Sequence, residues 1–326
     1  MKLILHGKEV DLNDPIDMHF INQYAMWLKY SYSPKSIDER KRKGSYERLL
    51  LDYIDKGYWE YNQINPSHYQ TNDSGTIGIV DKGSDILLVF LGSMPGHEER
   101  LGYPIVSVPN HIENIGVDIL CAREHPTLTP EYVYPCSYYL GVDESINTFA
   151  RMCDYFRDII KKDYKKIVVF GDSRHAAVSL AVSYYLSDIV TNCFIVHGQN
   201  THAFDDSPWV SNFIKYPNGE NCPHPMPFPA VTHVTKCLEL KKRGIAHEYL
   251  SPLDYLNKYS NIQVDYYYGK YDVEHQQFLD YAFERDAENI NFHEVDYRVG
   301  SGPTHHIRPI IDRKILPEYI ERLKNA

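Results

Sequence analysis

No stretch of this 326-residue chain reaches the ~18 uncharged apolar residues that a membrane-crossing helix needs. The first apolar run, Leu3-Ile4-Leu5, is three residues long before His6 and Lys8 interrupt it, too short for the core of a signal peptide. The six cysteines (121, 136, 153, 193, 222 and 237) form no Cys-x-x-Cys pair, and Cys121 and Cys193 stand in apolar runs where cysteine acts as a small hydrophobe. These absences predict a reduced, soluble, cytoplasmic protein. No Gly-x-Gly-x-x-Gly and no other Gly-rich phosphate loop occurs, so no nucleotide cofactor is indicated. The histidines lack His-x-x-x-His or glutamate-containing metal spacing, so no metal is expected either. Positive charge is also short: 34 Lys and Arg against 44 Asp and Glu leave a net charge of −10. That balance opposes phosphate backbones and anionic lipid, which argues against nucleic-acid and membrane partners.

What is present is a globular composition, 43% hydrophobic and 24% charged, which excludes disorder, collagen and coiled coil as the main architecture. Dividing the length by ~150 would give about two domains, yet one α/β domain of this size is common. Tyrosine is abundant, 28 against 12 Phe. Tyrosines line polar or sugar-like sites, and they also simply cover surfaces.

Residues 1–75 read as a helical N-terminal extension. Helical patterns cover 16–31 and 36–56, where Tyr46, Leu49, Leu50 and Tyr53 recur on one face, and a turn-rich stretch from Asn62 to Gly75 follows. The run Glu39-Arg40-Lys41-Arg42-Lys43 is a solvated helix face, and a homo-oligomer through these helices is compatible with the pattern. From 76 to 326 strand-like runs alternate with helical segments. The runs are Ile77–Val80, Ile86–Leu91, Val117–Cys121, Ile167–Phe170, Asn192–Val196, Ile262–Tyr268 and Phe292–Tyr297. Asp81-Lys82-Gly83-Ser84 predicts a hairpin between the first two. Helices are expected over 144–161, 174–187, 273–285 and 309–324. Short Val- and Ile-rich runs separated by helices indicate an α/β fold, a mostly parallel central sheet with helices on both faces. Residues 200–258 break the alternation with the Pro-rich piece Cys222–Pro229 and a helix over 231–243. They read as a cap insertion over a site built on the sheet.

The sharpest motif is Lys166-Ile-Val-Val-Phe-Gly171-Asp172-Ser173-Arg174-His175-Ala176-Ala177, a strand that runs straight into Gly-x-Ser and then into a helix. Such a turn exposes the serine hydroxyl, and the helix N-terminus behind it favours a developing oxyanion. Alternatively the turn is only an N-cap with Asp172 or Ser173 as the capping residue. Further on, the strand 262–268 ends in Gly269-Lys-Tyr-Asp272, and the last strand ends in Val299-Gly-Ser-Gly-Pro-Thr-His305-His306.

These residues resemble the nucleophile elbow of the α/β-hydrolase superfamily, whose usual motif is Gly-x-Ser-x-Gly; here His175 replaces the last glycine. The chain order Ser173, Asp272, His305 is that of the superfamily's triad. The resemblance implies Ser173 as nucleophile, His305 as base with His306 as the alternate, and Asp272 as the carboxylate that orients the histidine. It implies an oxyanion hole from the backbone N–H of Arg174 and of the Gly92-Ser93 turn after the second strand, where Leu91 stands in place of the family's usual histidine. It further implies acyl transfer through an acyl-serine, to water in an esterase or to a sugar hydroxyl in an O-acyltransferase using acetyl-CoA as co-substrate. The layout is also similar to the polysaccharide O-acetyltransferases of bacterial capsule clusters, which implies a small-molecule or saccharide substrate. Two other readings stay open here. Gly171-Asp172-Ser173 with Asp272-Val-Glu-His275, and Gly198-Gln199-Asn200, is similar to the SGNH (GDSL-like) hydrolases, with His275 as base. The fold also serves non-catalytic binding proteins.

Overall fold

The protein is described here by a computed structural model, over residues 2–5, 8–11, 13–14, 70–73, 76–91, 110–122, 142, 145–172, 175–196, 261–270, 289–297, 307 and 310–326. Strands β1 (Lys2–Leu5) and β2 (Lys8–Asp11) form an antiparallel hairpin. Eight further strands make one sheet: β3 (Gln70–Thr71), β4 (Ile77–Val80), β5 (Ile86–Phe90), β6 (Asp118–Ala122), β7 (Lys166–Asp172), β8 (Asn192–Val196), β9 (Gln263–Gly269) and β10 (Ile290–Val295). Their spatial order is β10-β9-β8-β7-β5-β6-β4-β3. Every pairing from β10 to β6 is parallel, whereas β4 runs antiparallel to β6 and β3 antiparallel to β4.

The central strands β5, β6 and β8 are buried along their whole length, as the unbroken apolar runs predict for strands covered on both faces. Alternation divides their side chains between two cores. Ile167 and Val169 of β7 face a core closed by helix α2 (Phe149–Ile159) and helix α3 (Ala176–Tyr185). Val168 and Phe170 face a second core, closed by Ile112 of the short helix α1 (Asn110–Glu113) and by the C-terminal helix α4 (Leu316–Lys324) with the wider π turn Ile311–Ile315 before it. Helix α2 starts where the Thr148 hydroxyl accepts from the Arg151 amide, and it buries Phe149, Met152, Cys153 and Phe156, one stripe at helical spacing. Cys121, Cys153 and Cys193 are buried, and burial pushes the Cys193 thiol up to about 12.

The hairpin expected at 81–84 is not formed. Strands β4 and β5 do run in opposite directions, and Gly83 turns the chain with a φ of +78° that favours glycine. But β6 lies between them and pairs with both. The turn is held open by Asp118, the first residue of β6. Its Oδ1 accepts from the backbone amides of Lys82 at 2.7 Å and Ser84 at 2.9 Å. Its Oδ2 accepts from Tyr164 Oη at 2.9 Å and Lys162 Nζ at 3.2 Å, both from the loop that enters β7. One fully buried carboxylate thus ties the amino ends of β5, β6 and β7 together, with its charge paired and its lone pairs used.

Strand β3 belongs to the main sheet although it lies upstream of residue 76. The described start of the N-terminal extension is the β1–β2 hairpin; the helical patterns at 16–31 and 36–56, the cap segment 200–258 and the expected helix at 273–285 lie outside the described residues.

Candidate functional site

Because β5 to β10 are all parallel, the chain leaves β5, β7, β8, β9 and β10 at one edge of the sheet. Ser173 follows directly on Asp172, the last residue of β7. The Gly92-Ser93 turn follows Leu91, Asp272 follows β9, and His305 and His306 follow β10 in sequence. Ser173, Arg174, Gly92, Ser93, Asp272, His275, His305 and His306 themselves lie outside the described residues, so the structure carries their flanks.

Those flanks are built for a close strand-to-helix turn. A Cβ on Gly171 would lie 2.3 Å from Ser179 Oγ and 2.5 Å from Ser179 Cβ, with Ala176 Cα at 3.1 Å. Residue 171 is therefore glycine because α3 is pressed against β7, which sharpens the sequence-based reading of a tight turn. The Ser179 hydroxyl donates to the Phe170 carbonyl at 3.1 Å, and Ser183 donates to the Ser179 carbonyl at 2.7 Å. The first bond ties α3 to the strand and the second lies within the helix; a reading by hydrophobic face alone (Ala177, Leu180, Ala181, Tyr184) overlooks both serines. His175, standing where the elbow motif usually has glycine, is 1% exposed and has φ −81° and ψ −6°. That is ordinary right-handed backbone open to any L-residue, and the ring is accommodated in the core. No acidic side chain occupies the first turn of α3.

Beneath this edge, on the α4 face, runs a row of rings. Phe90 stacks on Phe170 at 5.3 Å, Phe170 on Phe194 at 5.8 Å, Phe194 on Tyr267 at 4.6 Å, and Tyr267 on His293 at 4.4 Å. Tyr319 of α4 meets Phe194 edge-on at 4.9 Å. Five adjacent strands thereby share one rigid aromatic layer.

Sequence reasoning missed one polar constellation. Asp265, in the middle of β9, accepts from His293 Nε2 at 2.8 Å and from Asn291 Nδ2 at 3.2 Å, both on β10. The available signal was a charged residue inside the apolar run Val264-Asp265-Tyr266. This Asp–His pair does not serve the serine strand. Register runs Asp172, Val196, Tyr267, His293 across four strands, so His293 lies three spacings of about 4.8 Å from the end of β7. Closer to the edge, the Lys270 amide donates to the Val295 carbonyl at 3.1 Å and Lys270 pairs with Asp296 at 2.8 Å. The chains leaving β9 toward Asp272 and β10 toward His305 thus start out tied together. Beyond the second segment, Ile307 is buried in the α4-side core.

Among the described residues, no group of His, Cys, Asp or Glu could hold a metal ion, and no helix is long and apolar enough to cross a membrane.

No protein-family model matches the sequence, and no curated protein matches it. Solved structures do. A proposed esterase from Staphylococcus aureus aligns over 92% of this chain and 99% of its own with a TM-score of 0.50 and 12% identity. A hyperthermophilic esterase from the archaeon Pyrobaculum calidifontis aligns over 96% and 99%, with a TM-score of 0.48 and 14% identity. An esterase from Pyrococcus furiosus aligns over 84% and 91%, with a TM-score of 0.43 and 15% identity. At such identities likeness speaks of architecture alone; together with the antiparallel second strand, the strand order and the strand–Gly-x-Ser–helix turn, it identifies this chain as having the α/β-hydrolase fold.

Proposed function

We propose that the protein is a serine-dependent enzyme of ester chemistry, a carboxylic ester hydrolase or O-acyltransferase, with Ser173 as nucleophile. The observation that carries this reading is the junction of β7 and α3. Gly171 permits contact with Ser179, and the next residue but one is a serine at the carboxyl edge of a parallel sheet. In the proposed reaction His305 (or His306) takes the Ser173 proton as Oγ attacks the acyl carbonyl, and Asp272 fixes the imidazole tautomer. The N–H groups of Arg174 and of the Gly92-Ser93 turn, with the dipole end of α3, stabilise the oxyanion. The leaving group, an alcohol or the CoA thiol of acetyl-CoA, departs with the proton from the histidine; an acceptor hydroxyl then gives its proton to the histidine as it takes the acyl group, and the histidine returns that proton to Ser173 Oγ. Water as acceptor gives an esterase; a sugar hydroxyl, with acetyl-CoA as donor, gives an acetyltransferase. The tyrosine-rich composition supports a polar, carbohydrate-like substrate. Four strands of the sheet precede β7 in the chain, whereas an SGNH-like domain begins near its serine motif, so the His275 reading is not adopted.

Incubation with a fluorophosphonate followed by peptide mapping tests the proposal. The adduct is expected on Ser173, and Ser173→Ala is expected to cost ~10⁴ to ~10⁶ in turnover without changing the thermal midpoint. An Ala variant that keeps more than roughly a tenth of the activity, far above that range, removes Ser173 from the role. No labelling at all would favour a binding protein on the same fold. Acetyl-CoA or a model ester offered with and without sugar separates the two acceptors.

A further inference from the structure

Strand β10 is the outer strand of the sheet, with β9 as its one strand neighbour in the sheet order. Its burial is slight: Ile290 alone is buried, and Phe292, His293 and Val295 are half-exposed. An outer strand so little covered is held by its ladder and by cross-strand side chains. Two of those side chains converge on one atom, while Phe292 packs on the Tyr266 ring. Asp265 Oδ1 accepts from both His293 and Asn291, while the His293 ring lies flat on Tyr267, 4.4 Å between centroids and 16° from parallel. Tyr267 is itself stacked in the aromatic layer on Phe194. Asp265 is 7% exposed, so the accepting end of both hydrogen bonds is withdrawn from water.

We infer that Asp265, His293 and Tyr267 form a clasp that positions β10 and the chain leaving it toward His305. Resting on the ester-chemistry reading above, the inference makes His293 a positioning residue for the base. It is not a catalytic residue, because it stands three strands from β7. Displacement of a catalytic group by about 1 Å costs on the order of 10² in rate, so a loosened β10 lowers kcat while leaving substrate affinity, set elsewhere, in place.

Two substitutions at His293, whose side chain is 36% exposed and tolerates change, divide the clasp into its parts. His293→Phe keeps a ring on Tyr267 and removes the donor; His293→Gln keeps a donor near the Nε2 position and removes the ring. Amide hydrogen exchange over 290–308 and steady-state kinetics on a model ester are read on both, beside the wild type. His293→Phe is expected to speed exchange over 290–308 by about tenfold, through loss of the hydrogen bond to Asp265. It is expected to lower kcat by roughly ten- to a hundredfold with KM within about twofold, and His293→Gln to recover most of that kcat. Unchanged exchange in His293→Phe overturns the clasp, whatever the kinetics do. Faster exchange with unchanged kcat overturns its positioning role. A wild type that hydrolyses no ester and takes no fluorophosphonate at Ser173 brings down the ester-chemistry reading and the positioning role with it, while the exchange data still report on the clasp alone.

Discussion

The two edges of the central sheet are built by opposite means. At the amino edge, Asp118 gathers the loops entering β5, β6 and β7 with hydrogen bonds from two backbone amides, a tyrosine and a lysine. At the carboxyl edge, β7 passes into α3 through a glycine, and the Ser179 hydroxyl ties helix to strand by donating to the Phe170 carbonyl. A paired, desolvated charge holds three loops in one geometry but leaves nothing to react. A glycine at the strand end lets the helix approach it closely. The difference separates stability from chemistry along the strand axis, and each end can be perturbed without the other.

The largest effect is expected at the carboxyl edge. Asp272→Asn should lower turnover by about 10⁴ through the wrong imidazole tautomer, with the thermal midpoint unchanged. His305→Ala should be comparably inactive and His306→Ala should not. Loss confined to His306→Ala moves the base by one residue; loss confined to His275→Ala, with His305→Ala active, reinstates the SGNH-like arrangement. A fall in the thermal midpoint of Asp272→Asn as large as that of an amino-edge variant would erase the contrast between the edges.

Asp118→Asn is the counterpart. An amide at 118 still accepts from Lys82 and Ser84 through Oδ1 but turns its Nδ2 toward the donors on Tyr164 and Lys162. The expected cost is about 1.5–3 kcal/mol of stability, read by denaturant unfolding, with kcat unaltered. The pH dependence has a definite sign. Burial pushes the Asp118 carboxyl up, but the Ser84 and Lys82 amides, the Tyr164 hydroxyl and Lys162 outweigh it and hold it below its ordinary 3.8. A carboxylate lowered in the folded state stabilises at neutral pH, and that stabilisation is lost as pH falls below 3.8 through the folded value. Asp118→Asn should flatten this acid limb, and an unchanged limb would mean that the charge does not hold the loops.

What the sequence disclosed follows the range of the forces involved. Strands were legible because burial on both faces leaves a local trace, an unbroken Val- and Ile-rich run, and Asn192–Val196 is found at the bounds its residues predict. Asp81-Lys82-Gly83-Ser84 predicts a reversal, which occurs, but no local signal tells that β6 enters between the two strands; that depends on Asp118, 34 residues beyond Ser84. Asp265 and His293 are invisible for the same reason, being 28 residues apart. At the candidate site, the Gly171–Ser173 motif was legible as strand, turn and helix, whereas the need for glycine at 171 comes from Ser179, a contact that only packing creates. The acid, the base and the cap fall outside the described residues, and their roles rest on sequence and resemblance.

Gly171→Ala probes the neutral junction. The new methyl would overlap Ser179 Oγ and Cβ at 2.3 and 2.5 Å, so α3 has to move away from β7. Overpacking of this kind costs about 1–3 kcal/mol. Unlike Asp118→Asn, it should also lower kcat, because the helix N-terminus behind Ser173 shifts. Adding Ser179→Gly removes both overlapping atoms and should recover part of the activity, leaving the glycine's own cost in a helix of roughly 1 kcal/mol. Activity unaffected by Gly171→Ala would detach the junction from the chemistry.

The smallest effect is expected where charge is present without burial. Asp188, just beyond α3, accepts from Arg157 Nη2 at 2.9 Å, the same distance at which Asp118 accepts from Ser84 and Tyr164. Arg157 lowers the Asp188 carboxyl as the amides lower that of Asp118, so by pairing alone the two aspartates look alike. Their surroundings differ: the Asp188 side chain is 59% exposed and that of Asp118 is 0% exposed. Water competes for an exposed pair, salt screens it, and ordering two side chains costs entropy. Asp188→Asn should therefore cost no more than about 1 kcal/mol, and the cost should vanish in roughly 1 M salt. The loss in Asp118→Asn should largely survive that salt, because the carboxylate is buried and two of its donors are backbone amides. Equal salt sensitivity of the two variants would mean that pairing and not burial sets the strength of the amino edge.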